Sequence, residues 1–230
     1  MKTHVYLTLK RCIEAIQKMK KERPDGIIHA VIYGDWGCGK TKAIQQVSKE
    51  FRIPAIKAER DLTISKLIRK ITRAWGTEAG VHKDQNIDLL MALLSRRPIW
   101  ERIMIIDEAQ RIYRKMFLDE LKDLAEDEEC LLSFIFVADP TIKNYLTEVY
   151  HSLNKRILVI SLERINKVTV EEILKRYQLE GNIEDLSKFA HENGLTTLDV
   201  DNACFFLAKA GIKEIDSITL KKAIEQIKRI

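Results

Sequence analysis

The sequence predicts an α/β protein whose five-stranded parallel sheet is covered by helices on both faces, with a small all-helical domain appended. Three observations carry this expectation. Apolar runs within 27–33, 103–108, 131–138 and 156–162, with a short strand at 52–58, alternate with helix-patterned stretches, and continuous apolar strands indicate a sheet buried on both faces. The first run stops at Gly34, Gly37 and Gly39, then a lysine and a threonine, before helical spacing restarts. After about residue 164 the apolar strands cease and only helix-patterned segments follow.

In chain order, Leu9, Ile13, Ile16 and Met19 repeat at helical spacing within residues 5–22, and Pro24-Asp25-Gly26 stops that helix. Ile27–Tyr33 reads as a buried strand and Thr41–Phe51 as a helix. "RIPAIKA" (52–58) reads as a short strand, and Thr63–Trp75 and Asn86–Arg97 as helices, the first with Ile64, Leu67, Ile68 and Ile71 on one face. "IMIIDE" (103–108) is a strand ending in two acids, 114–126 a helix, "LLSFIFVA" (131–138) a strand closed by Asp139-Pro140, and "RILVISL" (156–162) the fifth strand. Helices at 168–178, 183–192, 199–210 and 217–229, punctuated by Gly181, Gly194 and Gly211, have no strand between them. The expected division is therefore 1–164 for the α/β domain and 165–230 for the helical one.

Composition bounds the function. The 230 residues are 46% hydrophobic, enough for a sizeable core, and the net charge of +5 permits an anionic partner without demanding one. Cys12, Cys38, Cys130 and Cys204 lie far apart with no CxxC pair, so zinc sites and disulfides are disfavoured and a reducing cytoplasmic setting fits better. No leader-like apolar segment opens the chain, and no apolar run reaches membrane-spanning length.

Residues 34–41, "GDWGCGKT", fill every position of G-x-x-x-x-G-K-[ST] between a strand and a helix. Such a turn wraps phosphates with backbone N–H groups, and the following helix N-terminus adds positive potential. The expected nucleotide-binding residues are Gly34, Asp35, Trp36, Gly37, Cys38, Gly39, Lys40, Thr41 and Lys42. Lys40 would reach the β- and γ-phosphates, and the Thr41 hydroxyl would ligate Mg²⁺. Trp36 has two readings: packing against the neighbouring domain, or contact with a second subunit or the nucleotide. Asp107, at the end of an apolar strand, suits a Mg²⁺-orienting acid, and Glu108 a general base that polarises water. Two adjacent acids favour hydrolysis over transfer to a small molecule. Asp139 either positions water or opens a turn before Pro140. Arg156 either stabilises charge on a neighbouring subunit's γ-phosphate or forms a surface ion pair, with Arg164 and Lys155 as competitors.

Together "GDWGCGKT", "IMIIDEAQ", the polar end of "FIFVADP" and an arginine before the fifth strand resemble the AAA+ P-loop ATPases, over essentially the whole chain. The compact layout most resembles the MuB/TnsC-type regulators of DNA transposition, and "DEAQ" also occurs in the related ExeA-like group. The resemblance implies strand order 5-1-4-3-2, a helical lid, ATP and Mg²⁺ as cofactors, and ATP held between the α/β domain and the lid. It further implies rings or filaments of the chain itself on double-stranded DNA, without sequence preference, serving a transposase or other DNA-machinery protein. Two departures accompany it: Asp139 stands where the group commonly has Asn, and "NGLTTLDVDNA" (193–203) lacks the arginine many lids aim at phosphate. Slow hydrolysis, with ATP as an assembly switch, is the expectation.

DNA contacts are expected from Lys57, Arg60, Lys66, Arg69, Lys70 and Arg73, and from Arg111, Arg114 and Lys115, as loops lining a channel. The acidic stretch 126–129 is expected either to face away from DNA or to form a docking patch for a basic partner. A helicase loader or replication-initiation ATPase shares this chemistry, as does an ExeA-like ATPase with a protein client. A small-molecule kinase would need an arginine-rich lid, which residues 165–230 lack.

Overall fold

The computed structural model describes residues 4–24, 28–113, 115–145, 157–162, 167–193, 195 and 197–227. The chain divides into two compact units. One comprises Thr8–Tyr33 and Ile44–Ser161; the other comprises Met1–Leu7, Gly34–Ala43 and Leu162–Ile230.

The larger unit is built on a parallel sheet of β1 (His29–Tyr33), β2 (Ala55–Lys57), β3 (Ile103–Asp107), β4 (Ser133–Ala138) and β5 (Ile157–Ser161), in the order β2-β3-β4-β1-β5. This is the expected 5-1-4-3-2 read from the other side. Every residue of β3 and β4 is buried, which explains their unbroken apolar sequences: both faces are covered. The helices are α1 (His4–Glu22), α2 (Lys40–Phe51), α3 (Ile64–Ala74), α4 (Lys83–Leu94) and α5 (Lys115–Glu126). The α3 helix shows why the periodicity was legible. Leu67, Ile68 and Ile71 recur on one buried face, and the Thr63 hydroxyl caps its start by accepting from Lys66 N. One core cluster joins α3, α4, α5, β3 and β4.

The α4 helix begins three residues before the expected Asn86. Asn86 is fully buried inside it, and its amide donates to Gly80 O at 3.2 Å and His82 O at 2.8 Å. Asn86 thus closes the preceding loop from within the first turn, where the sequence suggested a helix start.

From residue 167 the other unit contains α6 (Lys167–Tyr177), α7 (Ile183–Glu192), α8 (Thr197–Lys209) and α9 (Ser217–Ile227) around its own apolar cluster. Contrary to the expectation of helices alone, two dipeptide strands, β6 (Glu180–Gly181) and β7 (Glu214–Ile215), pair in parallel. A Cβ on Gly181 would lie 2.6 Å from Ile215 O, so only glycine lets the strands approach that closely. Among the described residues, no helix is long and apolar enough to cross a membrane.

Candidate functional site

The chain leaves the sheet at Tyr33 and enters the glycine turn. Its three glycines serve two different needs. Gly37 and Gly39 have φ of 77° and 87°, a left-handed conformation that a Cβ would penalise. Gly34 is required by space instead: a Cβ there would come 2.7 Å from Leu162 Cβ. Lys40 folds into the turn. Its ammonium donates to Gly34 O at 2.6 Å and Asp35 O at 2.8 Å, and lies 3.7 Å from Cys38 Sγ. Cys38 is buried, and that burial raises its thiol pKa while Lys40 pulls it back.

The α2 helix starts at Lys40 with no acidic residue in its first turn. Lys40 and exposed Lys42 therefore stand beside the positive end of the helix dipole, an unfavourable arrangement that a bound anion relieves. Thr41 is exposed on the same turn, and Asp35 is half-buried. Trp36 is 62% exposed.

The acids lie at the carboxyl edge of the sheet, where β2, β3 and β4 end together. Asp107 is buried at the end of β3, and its Oδ1 accepts from Glu108 N at 2.9 Å. Glu108 has φ 56° and ψ 34°, a left-handed conformation that costs a non-glycine residue on the order of 1–3 kcal/mol and persists only where its surroundings impose it. Both its carboxylate oxygens are engaged. Oε2 accepts from Gln110 Nε2 at 2.8 Å and meets Arg111 Nη2 at 3.1 Å, while Oε1 faces Lys57 Nζ at 3.9 Å. Arg111 also donates to Ala58 O at 3.1 Å, beside the end of β2.

Asp139 opens the turn that follows β4. Its Oδ1 accepts from Thr141 N at 2.9 Å and from the Thr141 hydroxyl, so that oxygen caps the 3₁₀ turn Pro140–Tyr145. The buried Tyr113 hydroxyl has a raised pKa, from burial first and the Asp139 charge second.

The proposed DNA contacts are less free than the sequence implied. Lys57 pairs with Glu108, Lys66 lies 3.4 Å from Asp61, Arg69 donates to Val81 O at 3.0 Å, and Lys70 pairs with Glu59. Arg60 and Arg73 are exposed, with no ion pair among the described residues. Arg114, Lys155, Arg156 and Arg164 lie outside the described residues, and Lys115 opens α5. Sequence reasoning missed Gln110 and the contact of Lys57 with Glu108. The "DEAQ" string carried a signal for the first; only the register pairing Lys57 with Asp107 reveals the second.

Comparison with known proteins follows this geometry. The family model described as "AAA domain" matches residues 26–146. No curated protein matches the chain. Two solved structures from Aeropyrum pernix share its fold. The ORC1 protein in complex with DNA gives a TM-score of 0.58 at 18% identity, over 100% of this chain and 66% of that one. The ORC2 protein, in ADPNP-ADP complexes, gives 0.59 at 16% identity, over 93% of this chain and 66% of that one. At such identities the likeness is one of fold, and this chain spans 66% of the length of each.

Proposed function

This chain belongs to the AAA domain family, and from that premise we propose that it is an ATPase whose nucleotide state controls its assembly on duplex DNA. The observation that carries the nucleotide reading is Lys40 seated within a loop whose Gly37 and Gly39 have positive φ, opening a helix with no acid in its first turn. A polyphosphate suits this loop because its negative charge meets backbone N–H groups, a lysine and a helix N-terminus together.

Thr41 and Asp107 are the proposed Mg²⁺ ligands. Both offer hard oxygens, and Mg²⁺ takes one or two carboxylates with phosphate oxygens and water completing its shell. The ion would neutralise charge on the phosphates. Glu108 is proposed to take the proton from the attacking water, which requires its carboxylate to leave Arg111 and Lys57 for the water. We further propose that Arg156 or Arg164 acts in trans on a neighbouring subunit's nucleotide, and that residues 165–230 form a lid.

Double-stranded DNA as partner is supported by the exposed Arg60 and Arg73 and by the DNA held by the ORC1 neighbour. A transposase is the client that the sequence resemblance supports, in a cytoplasmic setting that fits four buried free thiols. The ORC neighbours favour a second reading, a replication-initiation ATPase or helicase loader with the same chemistry.

Fluorescence anisotropy on two unrelated duplexes, across a salt series with and without ATP, tests the proposal, and electron microscopy of the same mixtures reads the assemblies. Expected are rings or filaments only with nucleotide, and binding that falls steeply with salt on both sequences. Binding indifferent to ATP and salt would move the client from DNA to protein.

A further inference from the structure

Gln110 is half-buried two residues after Glu108, and its side chain bridges Glu108 to the backbone at the end of β4. Its Nε2 donates to Glu108 Oε2 at 2.8 Å. Its Oε1 accepts from Asp139 N at 3.3 Å. These two partners fix which end of the amide is which, because a carboxylate only accepts and a backbone N–H only donates.

Glu108 needs such a holder. Its backbone is left-handed, and its other two partners, Arg111 and Lys57, draw the carboxylate toward the end of β2. Both of those are cations, and each holds the carboxylate in an ion pair. Gln110 is the one neutral partner among these contacts, and it is tied to main chain at the end of β4. It can therefore keep the carboxylate at the sheet edge when the ion pairs release it.

We propose that Gln110 is a positioning residue for hydrolysis: its amide links Glu108 to the backbone at the end of β4 and holds the carboxylate where it can receive a proton from water. This rests on the reading of Glu108 as the base.

The full chain is assayed for ATP turnover beside the variants Gln110→Ala, Gln110→Glu and Glu108→Gln, with thermal midpoints as a check on folding. Gln110→Ala should lower kcat about 10- to 100-fold, the scale of a misplaced catalytic group, with KM and the affinity for a non-hydrolysable ATP analogue unchanged. Gln110→Glu can still accept from Asp139 N, but when ionised it cannot donate to Glu108 and repels it. Its turnover relative to wild type should therefore rise as pH falls toward the carboxyl range near ~4.3, while the Gln110→Ala ratio stays flat. A merely structural role would move the midpoint and leave both ratios flat.

Gln110→Ala with wild-type or raised kcat, or a flat Gln110→Glu ratio, overturns the assignment. If Glu108→Gln turns over like wild type, the base reading itself fails and takes this assignment with it. If Glu108→Gln is inactive while Gln110→Ala is normal, only the assignment of Gln110 fails. A wild-type chain without ATP turnover overturns both.

Discussion

The two edges of the central sheet both bury charge, and they satisfy it in different ways. At the amino edge, Lys20 is 1% exposed, with its ammonium donating to Arg102 O at 3.1 Å and Leu131 O at 2.6 Å. Arg102 donates to Arg97 O at 3.1 Å, Glu129 O at 2.6 Å and Cys130 O at 3.2 Å. His29 Nδ1 accepts from Phe134 N at 3.1 Å, and its ring stacks on Phe134. Each of these groups is met by main chain. At the carboxyl edge the buried Asp107 and Asp139 also accept from main chain, at Glu108 N and Thr141 N, but the half-buried Glu108 is met by Gln110, Arg111 and Lys57, side chain on side chain. Groups tied to backbone can move only if the fold moves. Groups tied to other side chains can exchange partners while the fold stands. Burial of charge alone therefore does not mark a functional site.

Breaking the carboxyl edge should change chemistry and leave stability alone. Glu108→Gln should cut hydrolysis about 10²- to 10⁴-fold, the range for a lost general base, with ATP binding and melting temperature kept; phosphate release measures it. In the glycine loop, Lys40→Ala should remove a charge-assisted contact worth about 1.5–3 kcal/mol for each hydrogen bond to phosphate, so ATP affinity should fall roughly 100-fold. Isothermal titration reads that loss, and unchanged affinity would show that the loop does not hold the nucleotide.

Breaking the amino edge should do the reverse. Arg102→Ala strips donors from three carbonyls, and the protein should lose on the order of 3 kcal/mol in denaturant unfolding while its folded fraction binds ATP normally. A loss of ATP affinity without a loss of stability would erase the contrast between the edges.

A smaller effect separates the edges by pH. Burial first, and the Lys20 charge second, hold the His29 pKa down to about 3 from 6.5. Below pH 6.5 the unfolded chain takes up a proton that the folded chain refuses, so stability falls with pH through this window, by at most about 1.4 kcal/mol per unit. Lys20 acts higher. Burial, with the Arg102 charge adding, lowers its pKa from 10.5 to about 7, so stability should rise between those values as the unfolded chain alone stays protonated. His29→Asn keeps an acceptor for Phe134 N and removes the titration; its stability should vary less between pH 6.5 and 4 by urea denaturation. The smallest expected change is at Arg60 and Arg73. Replacing both by Ala should flatten the salt slope of DNA binding by about 0.9 per lost phosphate contact and weaken unrelated duplexes alike.

Local sequence determined the elements and the phosphate-type loop. A strand, a glycine turn and a helix start are written in consecutive residues, because φ preferences, capping and burial periodicity act over a few positions. The α6–α9 helices were legible for the same reason, while β6 and β7 were not: a dipeptide strand has no period, and Gly181 meets Ile215 only through the fold. Tertiary structure alone decided which polar groups distant in sequence meet. Lys57 reaches Glu108 because β2 lies beside β3 with Lys57 in register with Asp107. Lys20 finds Leu131 O, a residue 111 positions away. Asp107 and Glu108 stood out in sequence as two acids at a strand end, but the tether through Gln110 exists only because β4 ends next to β3. Hydrogen bonds are short-ranged in space and indifferent to separation along the chain, so their partners cannot be read until the sheet has brought the strand ends together.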